Sequence, residues 1–336
     1  MHGAENPTAS GPSTSARLLL LVALALAIGL VTAGGFKLAV EAVLPGSQTL
    51  QQLLRYTPAA GSTADRPDVP YTWDLARGVR RYLLLVAVVM FVSFRRWVPW
   101  RTLGRKGLAN AERPWLDLGL GALLASGLIV GYWLALALAG FATWSPRPLT
   151  YLAGKVPNYL LSALAIALLE ELFFRGVMLR AMLRDWGACR ALTISSLIYA
   201  LLHFLTGTMQ IAPGWQPLVG WNLLRAYLGD DNGSIVPDLR LVVGLFLLGC
   251  ILGWLYLRTG SLWAPIGLHW GLVFLSKLAK KLMARSDVYP EWAFGDTVFM
   301  VSGVVAWAAL ALTLLALPWV TRSGPLARRL ARSRRT

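Results

Sequence analysis

Two adjacent acids and an arginine stand in a stretch otherwise fit for the interior of a bilayer. From Asn158 to Met178 the chain reads NYLLSALAIALLEELFFRGVM, and Glu170, Glu171 and Arg175 are its charged residues. A charge at bilayer depth costs ~2.5–3.5 kcal/mol even on mild insertion scales, so such residues mark a site or an ion pathway. Glu171 and Arg175 are spaced i,i+4 with the acid first, the favourable orientation for a helix ion pair. The arginine can therefore hold Glu171 charged and in place. Glu170 projects about 100° round the helix and is left for other work. The chain has three histidines. His2 lies in the polar start, while His203 and His269 lie inside apolar stretches. A carboxylate and a nearby imidazole can share a water and take its proton. A second imidazole can donate a hydrogen bond to a developing oxyanion. Those are the parts needed to hydrolyse an amide. No Ser–His–Asp set and no HExxH spacing is visible. Glu170, His203 and His269 are also residue types that could hold a metal such as Zn²⁺, although metal-free catalysis is favoured.

The elements that must position these residues are membrane helices. The composition is 56% hydrophobic and 14% charged, with 15 Trp, too apolar and too poor in charge for a soluble domain. Several runs reach the ~18 residues needed to cross a bilayer as a helix. The expected fold class is all-α, a polytopic membrane helix bundle of about eight transmembrane helices. The net charge of +16 reads as topology and contact with anionic lipid headgroups, with no nucleic acid as partner. Residues 1–16, rich in Ser, Thr, Pro and Gly, form a disordered tail. Residues 17–151 hold the N-terminal transmembrane helices. The first runs behind Arg17 through Leu18–Val31 and on past Lys37 to Leu44, which is long for a cleaved signal. Tyr82–Phe94 is a second, short span, and Leu116–Trp144 a third, with Gly127 and Gly131 at a spacing that allows close helix approach. The catalytic core is expected over 152–285, and a last helix with a basic tail over 286–336. An interfacial or re-entrant piece is expected around Trp215–Leu228. The tryptophans read as interfacial belts. Cys189 and Cys250 suggest neither a disulfide nor a CxxC metal site.

The basic loop 94–115, the segment 175–190 and the tail fall on one side of an eight-span arrangement, which puts both termini in the cytoplasm. Lys277, Lys280, Lys281 and Arg285 fall on the other side, as snorkelling side chains or a shortened seventh helix would explain. Depth then becomes testable at ~1.5 Å per residue. Glu170 lies ~15 Å from Arg180, His203 ~20 Å from Arg190 and His269 ~13 Å from Gly260. Three separate helices thus place their polar residues near one level.

These residues resemble those of a known family. Glu170-Glu171-Leu-Phe-Phe-Arg175-Gly176 resembles the EExxxR motif of the CAAX-processing and bacteriocin-processing (CPBP, Abi) intramembrane endopeptidases. Tyr199-Ala-Leu-Leu-His203 is similar to its FxxxH motif with Tyr for Phe, and Ser261–Trp270 to the segment carrying its third conserved-type histidine, His269. The resemblance covers roughly 158–275. It implies a CAAX-type protease, a hydrolase in which Glu170 activates water with help from His203, His269 steadies the oxyanion, and Glu171 and Arg175 orient and balance charge. Tyr199 would pack with its polar tip near the site. The family has Asn or Asp four residues after the third histidine; here that position is Val273, with Asn222 and Ser276 as candidate substitutes. Gly267 and Gly271 flank His269 at GxxxG spacing and permit close backbone approach. One arginine neutralises one acid, which argues against a purely structural ion-pair knot. The function expected is proteolysis of a membrane-associated peptide or protein by an integral protein of the bacterial plasma membrane. The competing reading is a non-catalytic scaffold or a proton-coupled carrier on the same fold.

Overall fold

A computed structural model describes residues 13–43, 71–73, 82, 85–86, 89, 93, 108, 113–203, 209–211, 217–222, 236–295 and 300–322. The start of the expected tail, most of the second span and its basic loop, most of 206–238 and the basic C-terminal end lie outside the described residues. In chain order the elements are α1 (Thr14–Val43), β1 (Tyr71–Trp73), α2 (Pro114–Leu138), β2 (Ala142–Trp144), α3 (Leu149–Glu171), a π-helical stretch (Leu172–Leu179), α4 (Arg180–Trp186), α5 (Ala188–His203), β3 (Met209–Ile211), α6 (Val236–Thr259), α7 (Trp263–Leu282), β4 (Met283–Arg285), α8 (Glu291–Phe294) and α9 (Val304–Arg322).

The chain divides into two compact units, Met1–Val98 with Leu202–Pro237, and Pro99–Leu201 with Asp238–Thr336. In the first, α1 is one unbroken helix that begins inside the stretch expected as tail and runs through Lys37. Lys37 is fully buried. The Phe36 ring stacks on Tyr82 at 4.6 Å, and β1 pairs antiparallel with β3, Thr72 opposite Gln210. A helical turn at Val219–Asn222 falls within the piece expected to be interfacial.

The second unit holds the core. Ala125 of α2, Leu248, Ile251 and Leu252 of α6, Leu268 of α7 and Leu310 of α9 form one buried cluster. The helices meet through small residues. Gly121 of α2 stands against the Ala264 carbonyl, Gly267 of α7 against the Leu118 carbonyl, and a Cβ at Gly271 would lie 2.6 Å from that of Ala125. The expected close approach at Gly267 and Gly271 is therefore present. On α2 it is made by Gly121 and Ala125, because Gly127 and Gly131 have nothing within 4 Å of a modest added side chain among the described residues. Dispersion contacts between tightly packed backbones are what hold helices together where lipid removes the hydrophobic drive.

At the other end of α2 and α7, β2 and β4 form a short antiparallel pair, Thr143 opposite Ala284. These two strand pairs qualify the all-α expectation: each is a two-stranded sheet of three-residue strands. Among the described residues, Thr14–Val40, Pro114–Leu138 and Leu239–Thr259 are long and apolar enough to cross a membrane, and Ala188–His203 and Val304–Leu317 are shorter apolar helices. Along α2 the side chains of Leu123, Val130 and Leu138 are 68%, 61% and 81% exposed, an apolar surface that suits lipid. The expected figure of about eight spans includes residues 82–94, largely outside what is described. Cys189 and Cys250 are both free thiols.

Candidate active site

The two acids sit at the junction between α3 and the π-helical stretch. π turns are rare and concentrate at functional sites. Their wider winding brings a residue four places on more nearly above its predecessor than an α turn does. Arg175, inside that stretch, donates from Nη1 to Glu171 Oε1 at 2.9 Å. Glu171 is fully buried and Arg175 2% exposed, so the expected held pair exists and is sealed. The guanidinium does more than balance one charge. Its Nη2 donates to the Gly249 carbonyl at 3.2 Å, and its Cζ lies over the Tyr199 ring, 4.6 Å from the centroid. Arginine suits this position because one planar fork can serve a carboxylate, a carbonyl and an aromatic face at once.

Gly249 was not singled out from the sequence. Its value lies in α6 approaching α5: a Cβ there would meet Ser196 at 3.0 Å, and one turn on, Gly253 stands against Leu192. The GxxxG spacing of Gly249 and Gly253 was the available signal. Tyr199 is 1% exposed, packed edge-on against Phe174 at 5.0 Å and against His269 at 6.3 Å. The tyrosine expected near the site thus forms its wall beneath Arg175.

His269 joins the acids. Its Nδ1 lies 2.8 Å from Glu171 Oε1, and its Nε2 lies 3.8 Å from Glu170 Oε2. The first is a hydrogen bond. The second is an ion-pair distance too long for a direct hydrogen bond. With Glu171 accepting as a carboxylate, Nδ1 is the donor, and Nε2 is the nitrogen directed at Glu170. Glu171 therefore receives two donors on the same oxygen, one from Arg175 and one from His269. Glu170 is the more open of the acids, its side chain 26% exposed against 4% for His269. Among the sequence-derived candidates, Glu170, Glu171, Arg175, Tyr199 and His269 come together in the second unit. His203, the last residue of α5, falls in the first unit. Val273 lies one helical turn beyond His269 on α7, and of its candidate substitutes Ser276 is on the same helix while Asn222 belongs to the first unit.

Residues 152–275 match the family model described as type II CAAX prenyl endopeptidase Rce1-like. Over these residues the chain is similar to the CAAX-protease family. The Rce1-like match runs from α3 to the middle of α7 and includes every residue of the cluster just described. That family is one of endopeptidases, hence hydrolases, and the match supports a CAAX-type intramembrane endopeptidase. Membrane-associated protein or peptide is the substrate class that such a family implies. No curated protein and no solved structure matches the chain.

Proposed function

We propose that the Rce1-like core hydrolyses a peptide bond with a water activated by Glu170, in a site whose second acid, Glu171, holds His269 in one tautomer. The observation that carries this is the bridging of the two acids by one imidazole, Nδ1 to Glu171 and Nε2 toward Glu170. Glu170 Oε2 and His269 Nε2 face each other at 3.8 Å. A water between them can lose a proton to Glu170 as its oxygen attacks the carbonyl carbon. His269 Nε2–H can then donate to the oxyanion, and the proton held by Glu170 can pass to the leaving amine as the C–N bond breaks. Glu171 and Arg175 position the imidazole without taking part in the transfer. His203 enters this reading through its family motif, as the residue assisting Glu170.

The remaining parts of the proposal are a metal-free reaction, a bacterial plasma membrane location and cytoplasmic termini. Zn²⁺ is the alternative mechanism, and an Nδ1–H held by a carboxylate is also how a zinc-bound histidine is oriented. The test is cleavage of a lipid-tethered peptide by the purified full chain in lipid nanodiscs. Glu170→Gln should lower kcat by ~10²–10⁴, the range for loss of a general base, with an unchanged elution profile. Exhaustive chelation should leave wild-type activity intact. Retained cleavage in the Gln variant sinks the assignment of Glu170, and activity lost to chelator and restored by Zn²⁺ sinks the metal-free mechanism.

A further inference from the structure

Among the tryptophans read as interfacial belts, Trp270 does not fit. It follows His269 directly and is ten residues from Gly260, so it stands ~15 Å in from that turn, away from the headgroup level. Trp270 is half-buried, and its Nε1 donates to the Leu160 carbonyl of α3 at 3.1 Å. A second contact joins the same two helices nearer the end of α7. Lys277 donates from Nζ to Ser162 Oγ at 2.9 Å, and that hydroxyl donates in turn to the Tyr159 carbonyl at 3.2 Å. Lys277 thus turns inward, where snorkelling to the membrane surface was expected.

With the bond between His269 Nδ1 and Glu171 Oε1, three side chains of α7 grip α3. Their acceptors, Leu160, Ser162 and Glu171, lie within an interval of eleven residues, ~16 Å of helix. Successive residues of a helix project ~100° apart, so His269 and Trp270 reach α3 from two directions. One hydrogen bond between helices is a pivot, and a second off its line stops rotation. Side chains lie ~5–6 Å from a helix axis, so turning α7 by ~20° would carry the imidazole ~2 Å sideways. That takes Nδ1 beyond hydrogen-bond reach of Glu171. On its opposite side α7 is bounded by α2, at Gly267 and Gly271.

We infer that Trp270 is a positioning residue for the hydrolysis: its indole N–H, held by the Leu160 carbonyl, fixes the rotation of α7 that keeps His269 Nδ1 on Glu171 and Nε2 toward Glu170. This rests on the proposed cleavage at Glu170. The indole nitrogen is a donor only, so the direction of the bond is fixed. Its acceptor is a backbone carbonyl, placed by α3 itself and not by a rotamer, which makes the anchor rigid. Lys277 with Ser162 is the second stay of the same clasp. A misplacement of ~1 Å at reacting groups can cost ~10²-fold in rate, so the clasp acts on the chemistry through the imidazole.

The experiment uses the full chain in lipid nanodiscs and the lipid-tethered peptide, with Trp270 replaced by Phe or by benzothienylalanine, an isostere that has sulfur where the indole has N–H. Both replacements should lower kcat on the order of 10–100-fold with KM nearly unchanged. The chain has three histidines, so NMR with isotope-labelled histidine resolves the Nδ1–H of His269, identified by its loss in His269→Gln. In both Trp270 variants that signal should broaden or move toward that of a solvent-exposed imidazole. Trp307→Phe is the comparison: this indole also donates to backbone, to the Val301 carbonyl at 3.0 Å, but from α9, and its loss should leave kcat and the Nδ1 signal unchanged. An unaltered kcat in the isostere variant overturns the inference. So does a lowered kcat with the Nδ1 signal in place, and so do equal losses in Trp307→Phe, the mark of general destabilisation. Glu170→Gln, run in parallel, separates the two ideas: it should stop cleavage and leave the Nδ1 signal in place. Retained cleavage there sinks the assignment of Glu170, while the Nδ1 signal still reports whether Trp270 holds His269.

Discussion

At the scale of single residues, the site sets a sealed ion pair and imidazole beside a more open acid, the one proposed to activate water. Glu171, Arg175 and His269 are 0%, 2% and 3% exposed, whereas Glu170 retains an open edge. Taking one partner from a buried pair strands the other, at a cost of ~3–5 kcal/mol. Arg175→Met should therefore lower the thermal midpoint of the purified protein sharply, or prevent its accumulation in the membrane. Arg175→Lys should recover only part, since a compact ammonium cannot reach Glu171 and the Gly249 carbonyl and also cover the Tyr199 ring. Glu170→Gln should melt near the wild type. A thermal-shift series on the three variants in one detergent checks the contrast, and equal midpoints for Arg175→Met and the wild type would dissolve the distinction between held pair and working acid.

At the scale of elements, the site depends on how closely α2, α6 and α7 approach. The α7 backbone that carries His269 is pressed onto α2 at Gly267, against the Leu118 carbonyl. Gly267→Leu should force the helices apart and displace His269 from Glu171, with loss of both activity and a monodisperse profile on size-exclusion chromatography. Gly127→Leu places its side chain where nothing packs among the described residues and should be tolerated. The sequence marked Gly127 and Gly131 with the same spacing as Gly267 and Gly271. Among the described residues only the latter pair is used, because small-residue spacing shows that a helix can be approached, and not from which side. The π-helical turn at Leu172–Leu179 was likewise not visible in the sequence. Its stretch reads as ordinary apolar helix, and the extra backbone width is sustained by burial of Phe174 to Leu179 against the rest of the unit.

At the scale of the whole molecule, the membrane supplies the solvent in which this packing makes sense. The exposed leucines of α2 have no aqueous explanation, and the long apolar helices supply one. The proposed topology places both termini in the cytoplasm. A C-terminal green fluorescent protein fusion should then fluoresce and a C-terminal alkaline phosphatase fusion should be inactive; the reverse pattern would invert the arrangement or change the parity of spans. The basic cluster at the end of α7 looked misplaced under the positive-inside rule. Lys277 turns inward to Ser162, and Arg285 lies over Tyr289 at 4.2 Å. These two side chains are engaged within the protein, which weakens them as markers of side.

The amino-acid sequence by itself determined that this is a helical membrane protein and that Glu171 and Arg175 pair, and it put Glu170, His203 and His269 forward as one site. Those follow from local rules: apolar run length, i,i+4 spacing and the expense of unpaired charge in lipid, with the family motifs agreeing. Only the tertiary structure decided that His269 hangs from Glu171 by Nδ1 and faces Glu170 with Nε2, that Gly249 and Tyr199 complete the seat of Arg175, and that Lys277 meets Ser162. Each of these joins residues far apart in the chain, and hydrogen-bond direction between helices depends on their rotation and separation. Neither quantity is written in any one helix. Both are set by which small residues let two backbones come into contact.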